Sequence, residues 1–246
     1  MATDQQPFSI PARPRWLLPL GAMALLVLAG AQVFAFLTSP PDRDMGNLQK
    51  IMYVHVPAAE MAFLCFFVVL VFSVRYLWKG AERDDLIAAA AAEVGALLTA
   101  LTLALGSIWG RPTWGVWWAW DARLTSTAVL LVMFVGYLAL RSFAEDPEKR
   151  ARWSAAVGIL GALNVPVVYM SVKWWRTLHQ LQSTPTTMSP QYQRSLGWNT
   201  LAMLLITVYL VSRRYYIARL ERAAERAAER AALELDDAEE LEALHV

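Results

Sequence analysis

Of the 246 residues, 57% are hydrophobic, against roughly 45–50% for a soluble domain even with glycine counted, and the excess is gathered into six long blocks. That excludes a soluble enzyme with a large extramembrane domain, since the stretches between the blocks lack the apolar content of an independent core. The net charge of +1 gives no reason to expect a nucleic-acid partner, and none is expected; where the charges sit carries more information than their sum.

In chain order, residues Met1 to Pro14 are polar and proline-bearing, and the first block follows from Trp16 to Leu37. It is too long for a signal-peptide core and lacks an A-x-A cleavage site, so it reads as a retained first helix. The second block, Ala58 to Trp78, contains the single cysteine, Cys65, which reads as a small core residue. There is accordingly no disulfide framework, and without C-x-x-C-H the chain is not itself a c-type cytochrome.

The third block runs from Leu86 to Trp109 with Glu93 about two turns in, where an ionised side chain costs a few kcal/mol unless paired, neutral or able to reach water. Snorkelling or protonation is the reading adopted. Ala91, Gly95 and Thr99 recur every four residues beside it, a small-residue stripe that lets another helix approach closely. The fourth block is Leu124 to Leu140 and the fifth Trp153 to Val172; in the fifth, Asn164 and Pro166 predict a kink, with a functional cavity as the other reading. The sixth, Leu196 to Val211, is the shortest. A helix crossing a ~30 Å hydrocarbon core needs roughly 20 mostly apolar residues, so each block is a candidate span.

After it, Arg219 to His245 repeats R-A-A-E with i,i+3 pairing on an alanine-rich background and then turns acidic. This reads as a solvated helix continuing from the sixth span, with docking to a cytoplasmic partner as the alternative. His245 is read as inert. The expected fold is thus an all-α integral membrane bundle of six spans, divided into an N-tail (1–15), a membrane domain (16–211) and a charged helical tail (212–246).

Charge gives the sidedness. Fifteen of the 22 lysines and arginines fall on the two tails and the even-numbered loops, and seven on the odd-numbered loops. Positive charge accumulates on the cytoplasmic side, so both termini are expected there, with the first, third and fifth loops on the outer face.

Eight of the 11 tryptophans lie in or at the edge of those outer loops: Trp109, Trp114, Trp117, Trp118, Trp120, Trp174, Trp175 and Trp198. Interfacial belts populate both faces, so the imbalance asks for another reason. The densest stretch is Trp109 to Thr125, W-G-R-P-T-W-G-V-W-W-A-W-D-A-R-L-T. Its indoles make a broad polarisable surface, and Gly110, Pro112 and Gly115 are expected to keep it out of a regular long helix. Such a surface suits a large planar ligand, with Arg111 and Arg123 available to carboxylates on its edge and Asp121 available to orient an arginine or an indole N–H. An amphipathic segment lying on the bilayer accounts for the same composition.

Histidine bears on the choice. Two of the three, His55 in Y-V-H-V-P-A-A and His179 in K-W-W-R-T-L-H-Q, fall on the outer face and flank the tryptophan segment. Two imidazoles can supply the axial nitrogens of an iron between them, whereas a tetrahedral zinc site wants more nitrogen or sulfur ligands than this face offers. Haem, planar, iron-bearing and dicarboxylate, fits every one of these groups.

These residues resemble a known family. Trp114 to Thr125 is similar to the tryptophan-rich signature, with its W-W-x-W-D core, of the haem-handling proteins of cytochrome c biogenesis. Ile51 to Ala59 and Asn164 to Gln180 resemble the flanking motifs of the six-span, CcmC-type heme exporter family, and the likeness runs over roughly Asn47 to Trp198. The larger haem lyases share the signature but have more spans.

The resemblance implies that His55 and His179 are axial ligands of a transiently held haem b, and that Trp114, Trp117, Trp118, Trp120, Asp121 and Arg123 bind and present it. It implies transfer to a periplasmic haem chaperone from the inner membrane, beside permease and ATP-binding subunits of an ABC-type complex and a small membrane adaptor. The expected role is a carrier and loading platform rather than an enzyme. The chain has no G-x-x-x-x-G-K-[ST] loop, so ATP hydrolysis would belong to a partner. A membrane electron-transfer cytochrome holding a permanent bis-histidine haem, and a permease subunit merely anchored by tryptophans, are the rival readings.

Overall fold

A computed structural model describes residues 10–181 and 186–243 of the chain; His245 lies outside the described residues. Each apolar block maps onto one α-helix: α1 (Leu17–Thr38), α2 (Met52–Lys79), α3 (Glu82–Trp114), α4 (Ala122–Phe143), α5 (Pro147–Trp174) and α6 (Pro190–Ala243). All six are long and apolar enough to cross a membrane, and no strand occurs among the described residues. The protein is an all-α, multi-pass membrane protein.

Five of the helices overrun their blocks because polar residues at the ends supply what a helix terminus lacks. α3 starts just beyond Gly80, whose positive φ of 65° ends α2, and carries Glu82, Asp84 and Asp85 in its first turn, where the helix dipole favours acids. At the head of α5, Asp146 accepts the backbone N–H groups of Glu148 and Lys149 and Pro147 opens the helix.

The expectation that Gly110 and Pro112 interrupt the helix is corrected. α3 passes through both and stops only at Gly115, φ 79°, whose N–H bonds the Arg111 carbonyl at 3.0 Å. Proline three residues from a helix end forfeits a single ladder bond, and the last turn is reinforced by Thr113 Oγ1 on the Trp109 carbonyl at 2.8 Å.

α2 and α3 form the most extensive helix pair, and the small-residue stripe lies in that contact. Ala91, Gly95 and Thr99 are buried, and a Cβ on Gly95 would sit 2.7 Å from Phe66 and 3.0 Å from Cys65, so only glycine admits α2 this close. Cys65 is buried there as a core residue. Phe66 stacks on Phe134 of α4 at 3.8 Å, α5 packs on both α2 and α4, and α1 packs along α6.

Four polar groups within the spans find partners on other helices. Asn164 is read from sequence as a kink or cavity residue; in the structure it donates to the Ser126 carbonyl of α4 at 3.1 Å and α5 is unbroken through Pro166. Gln32 donates to Asn199 at 2.6 Å, joining α1 to α6, and Thr200 donates to Glu60 at 3.1 Å, joining α6 to α2. Glu93 is paired with Arg214 of α6 at 2.5 Å.

The end of the bundle that carries the even-numbered loops is tied by charge. Arg141 grips Asp85 through two bonds of 2.5 and 2.9 Å, and Arg75 pairs with Asp84 at 3.2 Å. The tail of α6 joins the same network: Glu82 holds Arg222 at 3.1 Å and Arg226 at 2.6 Å, and Glu225 meets Arg150 at 3.5 Å. The helix does continue from the sixth span, with the i,i+3 pair Arg222–Glu225 at 2.7 Å, but its first turns beyond the bilayer dock on this chain's own α3 and α5.

Breaking the Arg141–Asp85 pair strands a buried carboxylate. Arg141→Ala is expected to destabilise by about 3–5 kcal/mol, and pairing it with Asp85→Asn to restore most of the loss, as measured by denaturant unfolding in detergent.

Candidate functional site

The three motifs meet at the opposite end of the bundle. His55 sits in the first turn of α2, entered through a 3₁₀ turn at Asn47–Ile51, so its backbone is set by a rigid helix. Its ring lies against Gly106 of α3, where a Cβ would come within 3.2 Å of Cε1. Any larger residue at 106 displaces the imidazole.

His179 belongs to the loop that follows α5 and is held by a relay. Thr177 Oγ1 donates to Asp121 Oδ2 at 2.6 Å, the Leu178 N–H donates to the same oxygen at 3.0 Å, and the His179 N–H donates back to Thr177 Oγ1 at 3.1 Å. The ring Nδ1 is 2.8 Å from the Gln180 carbonyl. A carbonyl only accepts, so Nδ1 carries the hydrogen and Nε2 keeps its lone pair. Burial holds this imidazole below its usual range, and the charge of Arg123 acts in the same direction against the Gln180 bond and Asp121. The neutral, metal-binding form is therefore favoured.

His55 and His179 together line one cavity, with Trp109, Trp114, Trp118 and Arg123 in its wall beside Phe63, Thr99 and Thr102. Both also border a second recess toward Met45, Met52 and Gln180. The wall is apolar and aromatic. His55 Nδ1 and Trp118 Nε1, on two of its lining residues, are buried without a side-chain hydrogen-bond partner. Buried polar atoms are normally satisfied, so two such atoms on residues that line one cavity are consistent with a ligand there. Two imidazoles, an indole donor and aromatic planes are a donor set that fits haem.

The predicted site residues divide. Trp114 and Trp118 line the cavity, as does Trp109, the first indole of the segment but not one of the expected binding residues; Trp109 and Trp114 meet edge to face at 5.3 Å. Trp117 and Trp120 stand outside it, 60% and 83% exposed, with Trp120 edge-on to Trp118 at 5.5 Å. Arg111 donates to the Gly115 carbonyl at 2.6 Å. Arg123 lines the cavity while its Nη1 donates to the Val168 and Tyr169 carbonyls of α5 at 2.7 and 3.2 Å. Asp121 Oδ1 caps α4 through the Leu124 N–H at 2.8 Å, and its other oxygen holds the His179 loop, so its hydrogen bonds go to neither an arginine nor an indole.

Sequence reasoning passed over Gly106 and Thr177. The signal for Thr177 was present in its place two residues before His179, in R-T-L-H-Q; for Gly106 nothing local distinguishes it from the other small residues of its helix.

Comparison with known proteins gives a family. The model of the family described as "CcmC: Heme exporter protein C" matches residues 5–234, reaching beyond Asn47 to Trp198 to take in the first helix and much of the charged tail. The chain is similar to "Heme exporter protein C" of Escherichia coli (strain K12), 36% identical over 213 residues, 84% of this chain and 86% of that one. It is similar to the protein of the same name from Bradyrhizobium diazoefficiens, 36% identical over 208 residues, 82% of this chain and 79% of that one. A "Putative cytochrome c biosynthesis ccmC-like mitochondrial protein" of Marchantia polymorpha is 35% identical over 179 residues, 72% of each chain.

Proposed function

The chain belongs to the heme exporter protein C family, and from that membership we propose that it handles haem for c-type cytochrome biogenesis, holding haem b transiently between His55 and His179 and presenting it to a periplasmic haem chaperone. It does so at the outer face of the inner membrane, as a transfer platform rather than an enzyme. Permease and ATP-binding subunits of an ABC-type complex and a small membrane adaptor are its partners, and ATP is hydrolysed in those partners, since the chain has no phosphate-binding loop.

One observation carries the reading: two histidines 124 positions apart line the same aromatic cavity with an arginine in its wall. His55 and His179 supply the iron's nitrogen ligands, the indoles of Trp114 and Trp118 the apolar planes, and Arg123 a charge for a carboxylate edge. The exposed indoles of Trp117 and Trp120 beside the cavity are where an acceptor docks.

The test is exchange. Purified protein loaded with haem and mixed with an excess of an apo-haemoprotein is expected to pass most of its haem to that acceptor. Retention of the haem, with reversible oxidation and reduction in place, would instead mark an electron-transfer cytochrome and overturn the proposal.

Sidedness has its own test. A cysteine placed at Thr113, at the cavity end of α3, is expected to react with a membrane-impermeant thiol reagent in intact cells, and one at Pro147, at the head of α5, is not, following the charge asymmetry. Labelling at Pro147 alone inverts the topology.

A further inference from the structure

The two histidines of the cavity are held in different ways. His55 is part of a long helix, packed against Gly106 of α3, and moves only if α2 moves. His179 is on the loop that follows α5, and the two residues before it, Thr177 and Leu178, both bond the carboxylate of Asp121. We propose that Asp121 is the positioning residue for His179: it fastens the histidine loop to the start of α4 and to the tryptophan segment that ends at Trp120, so that displacement of that segment withdraws His179 first and haem release begins on its side. This rests on the reading of His179 as an iron ligand.

The division of labour between the two carboxylate oxygens is the ground for it. Oδ1 caps α4 through the Leu124 N–H, a task that one oxygen of an asparagine or serine performs equally well. Oδ2 is not needed for the cap, yet it accepts two bonds from the loop, at 2.6 Å from the Thr177 hydroxyl and at 3.0 Å from the Leu178 N–H. Thr177 Oγ1 then accepts the His179 N–H, so two links connect the carboxylate to the backbone of the histidine. Asp121 itself is not among the residues lining the cavity. On its other side the chain leads directly into Trp120, the most exposed indole of the segment and edge-on to Trp118 in the cavity wall. A partner that engages Trp120 therefore acts on the backbone adjoining the residue that holds His179, whereas nothing in this relay touches His55. Loops are the elements that move cheaply and helices those that do not, which sets the order of release.

The test uses the full chain loaded with haem, read by its optical spectrum and by the rate of haem loss to excess apo-haemoprotein. Thr177→Val removes the hydroxyl at nearly constant volume and leaves the α4 cap intact, so folding is preserved; Thr177→Ser restores the hydroxyl. Thr177→Val is expected to speed haem loss about tenfold and to deplete the six-coordinate low-spin band, with Thr177→Ser close to the parent protein. Asp121→Asn, which keeps the cap but weakens the loop bonds, is expected to follow Thr177→Val. In a His179→Ala background Thr177→Val is expected to add nothing, and in a His55→Ala background to add its full effect; a general loss of packing would add in both. An unchanged rate and spectrum in Thr177→Val, or equal acceleration in both backgrounds, would overturn the positioning role while leaving the ligand assignment intact. If His179→Ala itself leaves spectrum and rate unaltered, the ligand assignment falls and the positioning role falls with it.

Discussion

Alanine in place of either His55 or His179 is expected to turn the haem-loaded protein from six-coordinate, low-spin iron to five-coordinate or water-ligated iron, and to weaken retention by about 100-fold or more. Loss of an outer partner of a metal ligand already costs roughly 10–100-fold, and here the ligand itself is removed. His55, at the cavity, has its Nδ1 buried without a side-chain hydrogen-bond partner, and His179 presents Nε2 because its Nδ1 is engaged by the Gln180 carbonyl. An optical spectrum of each purified variant, with haem per protein measured on the same sample, checks the assignment. Two single variants that both keep a low-spin bis-imidazole spectrum would show that the ligands lie elsewhere.

The second large effect separates binding from presentation, along a line drawn by exposure. Trp118 lines the cavity and its indole nitrogen is buried and unsatisfied, whereas Trp117 and Trp120 lie outside. Trp118→Ala is therefore expected to reduce bound haem and transfer in parallel. Trp117→Ala and Trp120→Ala are expected to lower transfer to the chaperone by roughly three- to tenfold with occupancy nearly unchanged, the scale of one aromatic contact. Haem per protein and chaperone-bound haem, measured in the same preparations, give both quantities. Parallel loss of the two in the Trp120 variant makes that residue part of the pocket; no loss of either makes it a membrane anchor.

How much of this is legible in the amino-acid sequence differs between the spans and the site. The six blocks and the buried Cys65 are readable because transfer into a bilayer is summed along the chain, and a run of about 20 apolar residues partitions into it without reference to any other part of the molecule. The crowding of indoles between Trp109 and Trp120, and the two histidines that flank it in the chain, are equally local. They are enough to bring the site together by residue type.

The tertiary structure decided the partners. Asp121 holds Thr177 across 56 positions and Arg214 neutralises Glu93 across 121, and no window of sequence contains both members of either pair. The continuation of α3 through Gly110 and Pro112 was settled by capping at Gly115, and the first turns of the R-A-A-E tail, exposed over most of its described length, found Glu82 on α3 and Arg150 on α5. Which indole lines the cavity and which faces outward followed from the path of the segment between α3 and α4. The reason is that hydropathy is a property of each residue and its immediate neighbours, while a hydrogen bond or ion pair depends on which helices lie side by side, and that is set by close packing at positions such as Gly95 and Gly106.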